Sequence, residues 1–479
     1  MPNVADYCAN CIYVCNICRI DLIKNKAINI AISKENSIFA LLNINAQCKL
    51  NRMSELEIKN IGPIKYVKFN TNKINVFIGP QSSGKSTIAK LISFCEWIEK
   101  DIVAHQNKDY ITAEFLNVNL YGFHKMKSYF NETSYIKYTS DAICFEFTSL
   151  NNFKIELLEN FKNAQIGKVA YVPSERNIVS VPNISSFPME ENYIRNYIFD
   201  WLNIKRKFDA ENSISLKELN IKFYFDENTQ KDSILLDNGT VISIDEASSG
   251  VQSVIPLYVF INYYTKWIYD HIEDVSYDKN LVIQESVIKK TGLVKPEDEN
   301  VFLKNPEFIA RISKIISQIA GMSENVNMDG LNNSASEIFN KISKLCKPHF
   351  SNLIIEEPEL NLFPKTQIEL VYDILKMINT DRDSISITTH SQYILYALNN
   401  SMMAYLVKDK MPKDIYSKMS LYECEVDPNK VSVFEIENGG FRGDETIQEE
   451  NGLIGENYFD ESMKNIMDDY YTMLDYYGD

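Results

Sequence analysis

Residues 74–79 read INVFIG, a short apolar run of strand type. GPQSSGKST follows from Gly79 to Thr87, and IAKLISFCEWIEK then continues as an amphipathic helix. Gly79, Gly84, Lys85 and Ser86 complete the pattern Gly-x4-Gly-Lys-Ser, with a strand before it and a helix after it. The two glycines let the backbone wrap closely round a phosphate, and successive N–H groups with the helix N-terminus face the anion. The expected binding loop is therefore Gly79, Pro80, Gln81, Ser82, Ser83, Gly84, Lys85, Ser86 and Thr87. Lys85 is expected to place a point charge on the β- and γ-phosphates of ATP, and Ser86 to offer its hydroxyl to Mg²⁺. A strand, this loop and a helix in immediate succession call for an α/β fold.

Two later patches have the chemistry such a loop needs. LIIEEPELNLFP, residues 353–364, reads as a buried strand that delivers Glu356 and Glu357 to its carboxyl end. Ligands bind at that end of an open α/β sheet. One carboxylate holds a hydrated metal and a second orients the attacking water, so Glu356 is assigned to the metal and Glu357 to the water. A further strand, Ser384 to Thr389, ends at His390, one of five histidines in the chain. Its position predicts a hydrogen-bonding contact to the γ-phosphate. Tyr171-Val-Pro-Ser-Glu-Arg-Asn177 also leaves a strand, and Ser174, Glu175 and Arg176 are either sensors of metal or phosphate or an ordinary strand exit.

ISIDEASSGVQSVIPLYVFI, residues 242–261, places Ser-Ser-Gly at the entrance of an apolar helix. Ser249 and the free N–H groups of that helix form a second anion site, unless they are a simple N-cap. The four patches, in this order, resemble the ABC-type ATPase heads, closest to the branch with RecF, the OLD-family nucleases and the ATPase subunits of the Septu and PARIS phage-defence systems. Ser249, Gly250 and Gln252 match the signature motif, with Val251 where a second glycine is common. In that family the signature completes the nucleotide site of a second subunit. The resemblance implies a P-loop NTPase with a mixed-sheet lobe, ATP and Mg²⁺ as ligands, and a homodimer or higher homo-oligomer. It also implies a separately encoded effector nuclease and a role in phage defence. The rival reading is a RecF-like repair ATPase that binds DNA directly. Phe363 departs from the Leu-His-Pro common in the OLD-like branch.

The net charge of −16 argues mildly against broad DNA binding, which needs a basic footprint. Much of that charge lies in residues 443–479, with eleven acidic residues against one lysine, read as a solvated helix face. No run reaches eighteen apolar residues without charge, so no membrane span is expected, and the chain reads as cytoplasmic. Cys8, Cys11, Cys15, Cys18 and Cys48 lie in the first 52 residues at spacings too tight for a zinc ribbon. That segment reads as an extension before Met53. The remaining divisions are a first ATPase part at 53–269, a helical insertion at 270–352, a second ATPase part at 353–410, and a strand with an acidic tail at 411–479. Asn238-Gly239 predicts a hairpin.

Overall fold

The computed structural model describes residues 53–271, 348–443 and 446–477. The cysteine cluster of the first 52 residues and the helical candidates at 306–320 and 334–346 lie outside the described residues.

The loop strand is β3 (Ile74–Ile78), following the hairpin β1 (Glu55–Ile61) and β2 (Ile64–Asn70). All five β3 residues are buried. A continuous apolar run is what a strand covered on both faces requires. Five more strands complete the sheet: β7 (Lys168–Val172), β12 (Ser351–Glu356), β13 (Ser384–Thr388), β14 (Val431–Glu437) and β15 (Gly440–Phe441). Their order is β15-β14-β3-β13-β12-β7, parallel except for the β14–β15 pair. β14, which lies beyond residue 410, pairs with β3 inside this sheet.

Side-chain alternation along β3 assigns each face of the sheet its own cover. Ile74, Val76 and Ile78 join the core formed with helices α2 (Tyr193–Ile204), α3 (Ser249–Asn262), α4 (Pro364–Met377) and α5 (Gln392–Val407). Phe77 points to the other core, with helix α1 (Lys85–His105) and the first antiparallel sheet. That sheet runs β2-β1-β4-β5-β6, with β4 Tyr135–Thr139, β5 Ile143–Ser149 and β6 Asn152–Leu157. Its strands β4 and β5 alternate buried and half-buried residues, as a sheet with one apolar face must. Phe77 stacks on Phe434 with ring centroids 5.3 Å apart, and burial of such a ring contributes about 2–3 kcal/mol.

A smaller antiparallel sheet, β11-β10-β9-β8, leads into α3. Its strands are β8 (Ile214–Leu216), β9 (Ile221–Asp226), β10 (Lys231–Leu235) and β11 (Val241–Ser243). Asn238-Gly239 makes the β10–β11 turn, with Gly239 at φ +82°. β11 ends at Ser243, because Ser243 and Glu246 form a capping box over a 3₁₀ turn at Ile244–Glu246.

Candidate functional site

The ends of three adjacent strands meet at one edge of the sheet. Phe77 is level with Thr388, and Thr388 with Glu356, so the loop after β3, the turn after β12 and His390 come together. The loop follows a tight path: Gly79 lies at φ +144°, Ser82 at φ +60° and Gly84 at φ +112°. A Cβ at Gly79 would stand 2.5 Å from the Ile436 carbonyl oxygen, so only glycine lets β14 lie this close. Pro80, Gln81 and Ser82 are exposed, Ser83 and Ser86 half-buried, and Thr87 buried. Gly84 caps α1 without any side-chain hydrogen bond, and no acidic residue stands in the first turn. The first N–H groups of the helix are thus left without a side-chain acceptor, as an anion cradle requires.

The Lys85 ammonium donates to the carbonyl oxygens of Gly79 at 2.8 Å and Pro80 at 2.7 Å. Burial lowers its pKa to about 8, and the charges of Glu357 and Glu359 pull in the opposite direction. It is a desolvated cation that gains from an added anion.

The two glutamates of the β12 turn differ. Glu356 is 3% exposed, and its Oε1 has no hydrogen-bond partner. Burial pushes its carboxyl up, against a smaller opposing effect of Lys90 and the Ser86 and Tyr171 hydroxyls. The Thr388 hydroxyl is also buried without a hydrogen-bond partner. Glu357 is half-buried at φ +42°, a left-handed conformation that costs a non-glycine residue of order 1 kcal/mol or more. Its N–H donates to the Thr388 carbonyl at 2.8 Å, and its Oε1 lies 3.4 Å from His390 Nε2. The His390 hydrogen bond is the main cause that holds the Glu357 carboxyl below its usual range, despite burial.

Residues that hold this turn were less legible. Glu359 is half-buried, and its Oε1 accepts from the His390 backbone N–H at 2.6 Å. The Glu-Glu-Pro-Glu run contains it, but nothing in that run distinguishes it from a solvated acid. Arg176 is fully buried. Its guanidinium donates to the carbonyls of Ser253, Glu356, Glu357 and Pro358 at 2.9–3.0 Å. These bonds clamp the acidic turn to α3.

α3 begins at Ser249 after an N-cap, Ser248, that makes no side-chain cap bond. Ser248 and Ser249 are exposed. The Gln252 amide is engaged elsewhere, donating to the carbonyls of Ile244 at 3.1 Å and Asp245 at 3.2 Å. A Cβ at Gly250 would stand 2.8 Å from the Asn361 carbonyl oxygen, and Asn361 donates to Ser253 Oγ at 2.9 Å. Gly250 is therefore required by the turn of its own chain. Phe363, at the end of that turn, is 76% exposed.

The architecture is an α/β fold in which a six-stranded, mostly parallel sheet carries a glycine-rich loop between β3 and α1. No family model matches the sequence, and no curated protein matches it. Among solved structures, it is similar to the SMC head domain from Thermotoga maritima, with 10% identity, a TM-score of 0.32, and coverage of 72% of this chain and 92% of that one. A structure of the recombination mediator protein RecF shares 11% identity at a TM-score of 0.28, covering 82% of this chain and 98% of that one. A dimeric ATP-binding cassette in a post-hydrolysis state with ADP and phosphate shares 10% identity at a TM-score of 0.23, covering 82% and 99%.

The donor set fits a magnesium ion. An unpartnered buried carboxylate oxygen on Glu356 and the Ser86 hydroxyl are hard oxygen ligands, and Mg²⁺ takes its other positions from phosphates and water. Among the described residues no group of three or more His, Cys, Asp and Glu is placed to hold a metal. Among the same residues no helix is long and apolar enough to cross a membrane.

Proposed function

We propose that the chain binds and hydrolyses ATP in a pocket shared by two copies, and that closure round the nucleotide controls a separately encoded effector of nuclease type in phage defence. One observation carries the ATPase reading. Beside the loop of Lys85 stand two adjacent carboxyls of opposite character: Glu356 is buried with an oxygen that has no hydrogen-bond partner, and His390 holds the Glu357 carboxyl below its usual range. Enzymes that divide roles between two carboxyls separate their environments in this way.

Gly79 to Thr87 would cradle the phosphates through backbone N–H groups, and Lys85 would move from its loop carbonyls to the β- and γ-phosphates. Ser86 and Glu356 would hold Mg²⁺, which when bound neutralises developing charge on the phosphoryl oxygens. Glu357 would orient water in line with the γ-phosphate, and His390 would fix the Glu357 carboxylate and reach the γ-phosphate itself. The exposed, uncapped start of α3 at Ser249 and Gly250 supports a second anion site offered to a partner copy. Gln252 would serve by bracing that start. The effector and the defence setting are supported by the sequence resemblance alone.

Complementation tests the shared pocket. Lys85→Ala and Ser249→Arg are each expected to lose hydrolysis. Mixed together, they assemble one pocket with an intact loop and an intact signature, so part of the activity returns. Failure of the mixture to hydrolyse ATP, with both variants folded, overturns the shared site.

A further inference from the structure

The C-terminal helix α6 (Tyr458–Leu474) is anchored at its first turn only. Asn457 and Asp460 form a capping box, Arg442 pairs with Glu461, and the Tyr458 N–H donates to Glu435 at 3.0 Å. From Met463 onward every helix residue is exposed. That leaves twelve residues with Asp, Asn, Thr and Tyr among them, a length at which an isolated helix is marginal in water.

The apolar side chains of this segment form one face. Met463, Ile466, Tyr470 and Met473 recur at the three- and four-residue steps of a heptad seam, and Met467 and Leu474 widen it on one side. These six residues are 37–64% exposed. At ~200 Å² for side chains of this size, on the order of 600 Å² of mostly apolar surface is uncovered. Two such faces together amount to roughly 1,200 Å², the lower bound of a standard stable interface.

Charge selects the occupant. Glu461, Asp468 and Asp475 recur every seven residues on the row opposite the seam, the position that points to solvent when two such helices pair. Asp469 is the one acid beside the seam in the exposed segment. A second copy therefore meets an apolar face like its own, with most of its acids directed into water.

We propose that α6 pairs with α6 of a second copy of this chain, independently of nucleotide. The pairing gives two heads a high effective concentration for one another, so that closure round ATP becomes an intramolecular event.

Sedimentation equilibrium of the full-length chain without nucleotide and with chelator tests this. The expected result is a dimer at micromolar concentration, and at least a tenfold weaker dimer for Ile466→Asp with an unchanged melting curve for the head. Tyr470→Cys adds a second reading, since two copies in register form an intermolecular disulfide under mild oxidation that Ile466→Asp suppresses. A wild-type monomer overturns the proposal and leaves the face to a different protein. So does an Ile466→Asp dimer as tight as wild type. Because no nucleotide is present, failure of the shared ATP pocket would leave this result intact.

Discussion

Glu356 and Glu357 are neighbours in sequence, yet their surroundings move their carboxyls in opposite directions. Burial raises the first, and the His390 hydrogen bond lowers the second. Glu357→Gln should reduce single-turnover ATP hydrolysis about 100-fold or more while leaving equilibrium ATP binding within a few-fold of wild type. Equal losses in both would contradict the water-orienting role. His124 gives a residue-level test outside the site. It is 2% exposed, stacks on Tyr193 at 6.2 Å, and its ring is pushed down to about 3 by burial, with the charge of Lys90 adding to the effect. The unfolded chain takes up this proton near the ordinary value of 6.5, so stability is full above that pH and falls as the solution is acidified towards 3. Between pH 7 and 5 the loss from this residue is about 2 kcal/mol. Urea denaturation at both pH values should show that loss in wild type and not in His124→Phe.

Among the elements, α3 is tied to the acidic turn of the same chain. Arg176 bonds one α3 carbonyl and three carbonyls of that turn, and Asn361 bonds Ser253. If α3 serves a partner's nucleotide, the state of one pocket is mechanically linked to the other. Arg176→Lys keeps the charge but loses the planar fork, leaving several carbonyls unpaired. It should destabilise the fold by about 2–4 kcal/mol in urea titration and slow hydrolysis more than it weakens ATP binding. A stability change below about 0.5 kcal/mol would remove Arg176 from this role.

For the whole molecule, the question is how many chains make one active unit. With α6 as a tether, the wild-type ATPase rate per subunit should stay flat as the protein is diluted through the micromolar range. In Ile466→Asp the rate per subunit should rise with concentration, because the shared pocket must then form by encounter. A rate independent of concentration in both proteins would count against a pocket built from two copies. The net charge of −16 bears on the rival DNA-binding reading at this scale, since no broad basic footprint follows from such a composition.

The loop at Gly79–Thr87, the acidic strand end, His390 and the start of α3 were all legible in the sequence, because each is a local pattern of a few adjacent residues on one strand or helix. The hairpin at Asn238-Gly239 was legible for the same reason, and so was a strand after residue 410. The place of β14 beside β3 was not, since strand order depends on pairing between segments more than 350 residues apart. Nor was the work of Arg176, Glu359 and Gln252. A charged or amide residue in a turn has the same local signature whether it faces water or a buried carbonyl. Local spacing determined which residue types the chain brings to the sheet edge; only the packed structure decided which polar groups are buried and which carbonyls they bond.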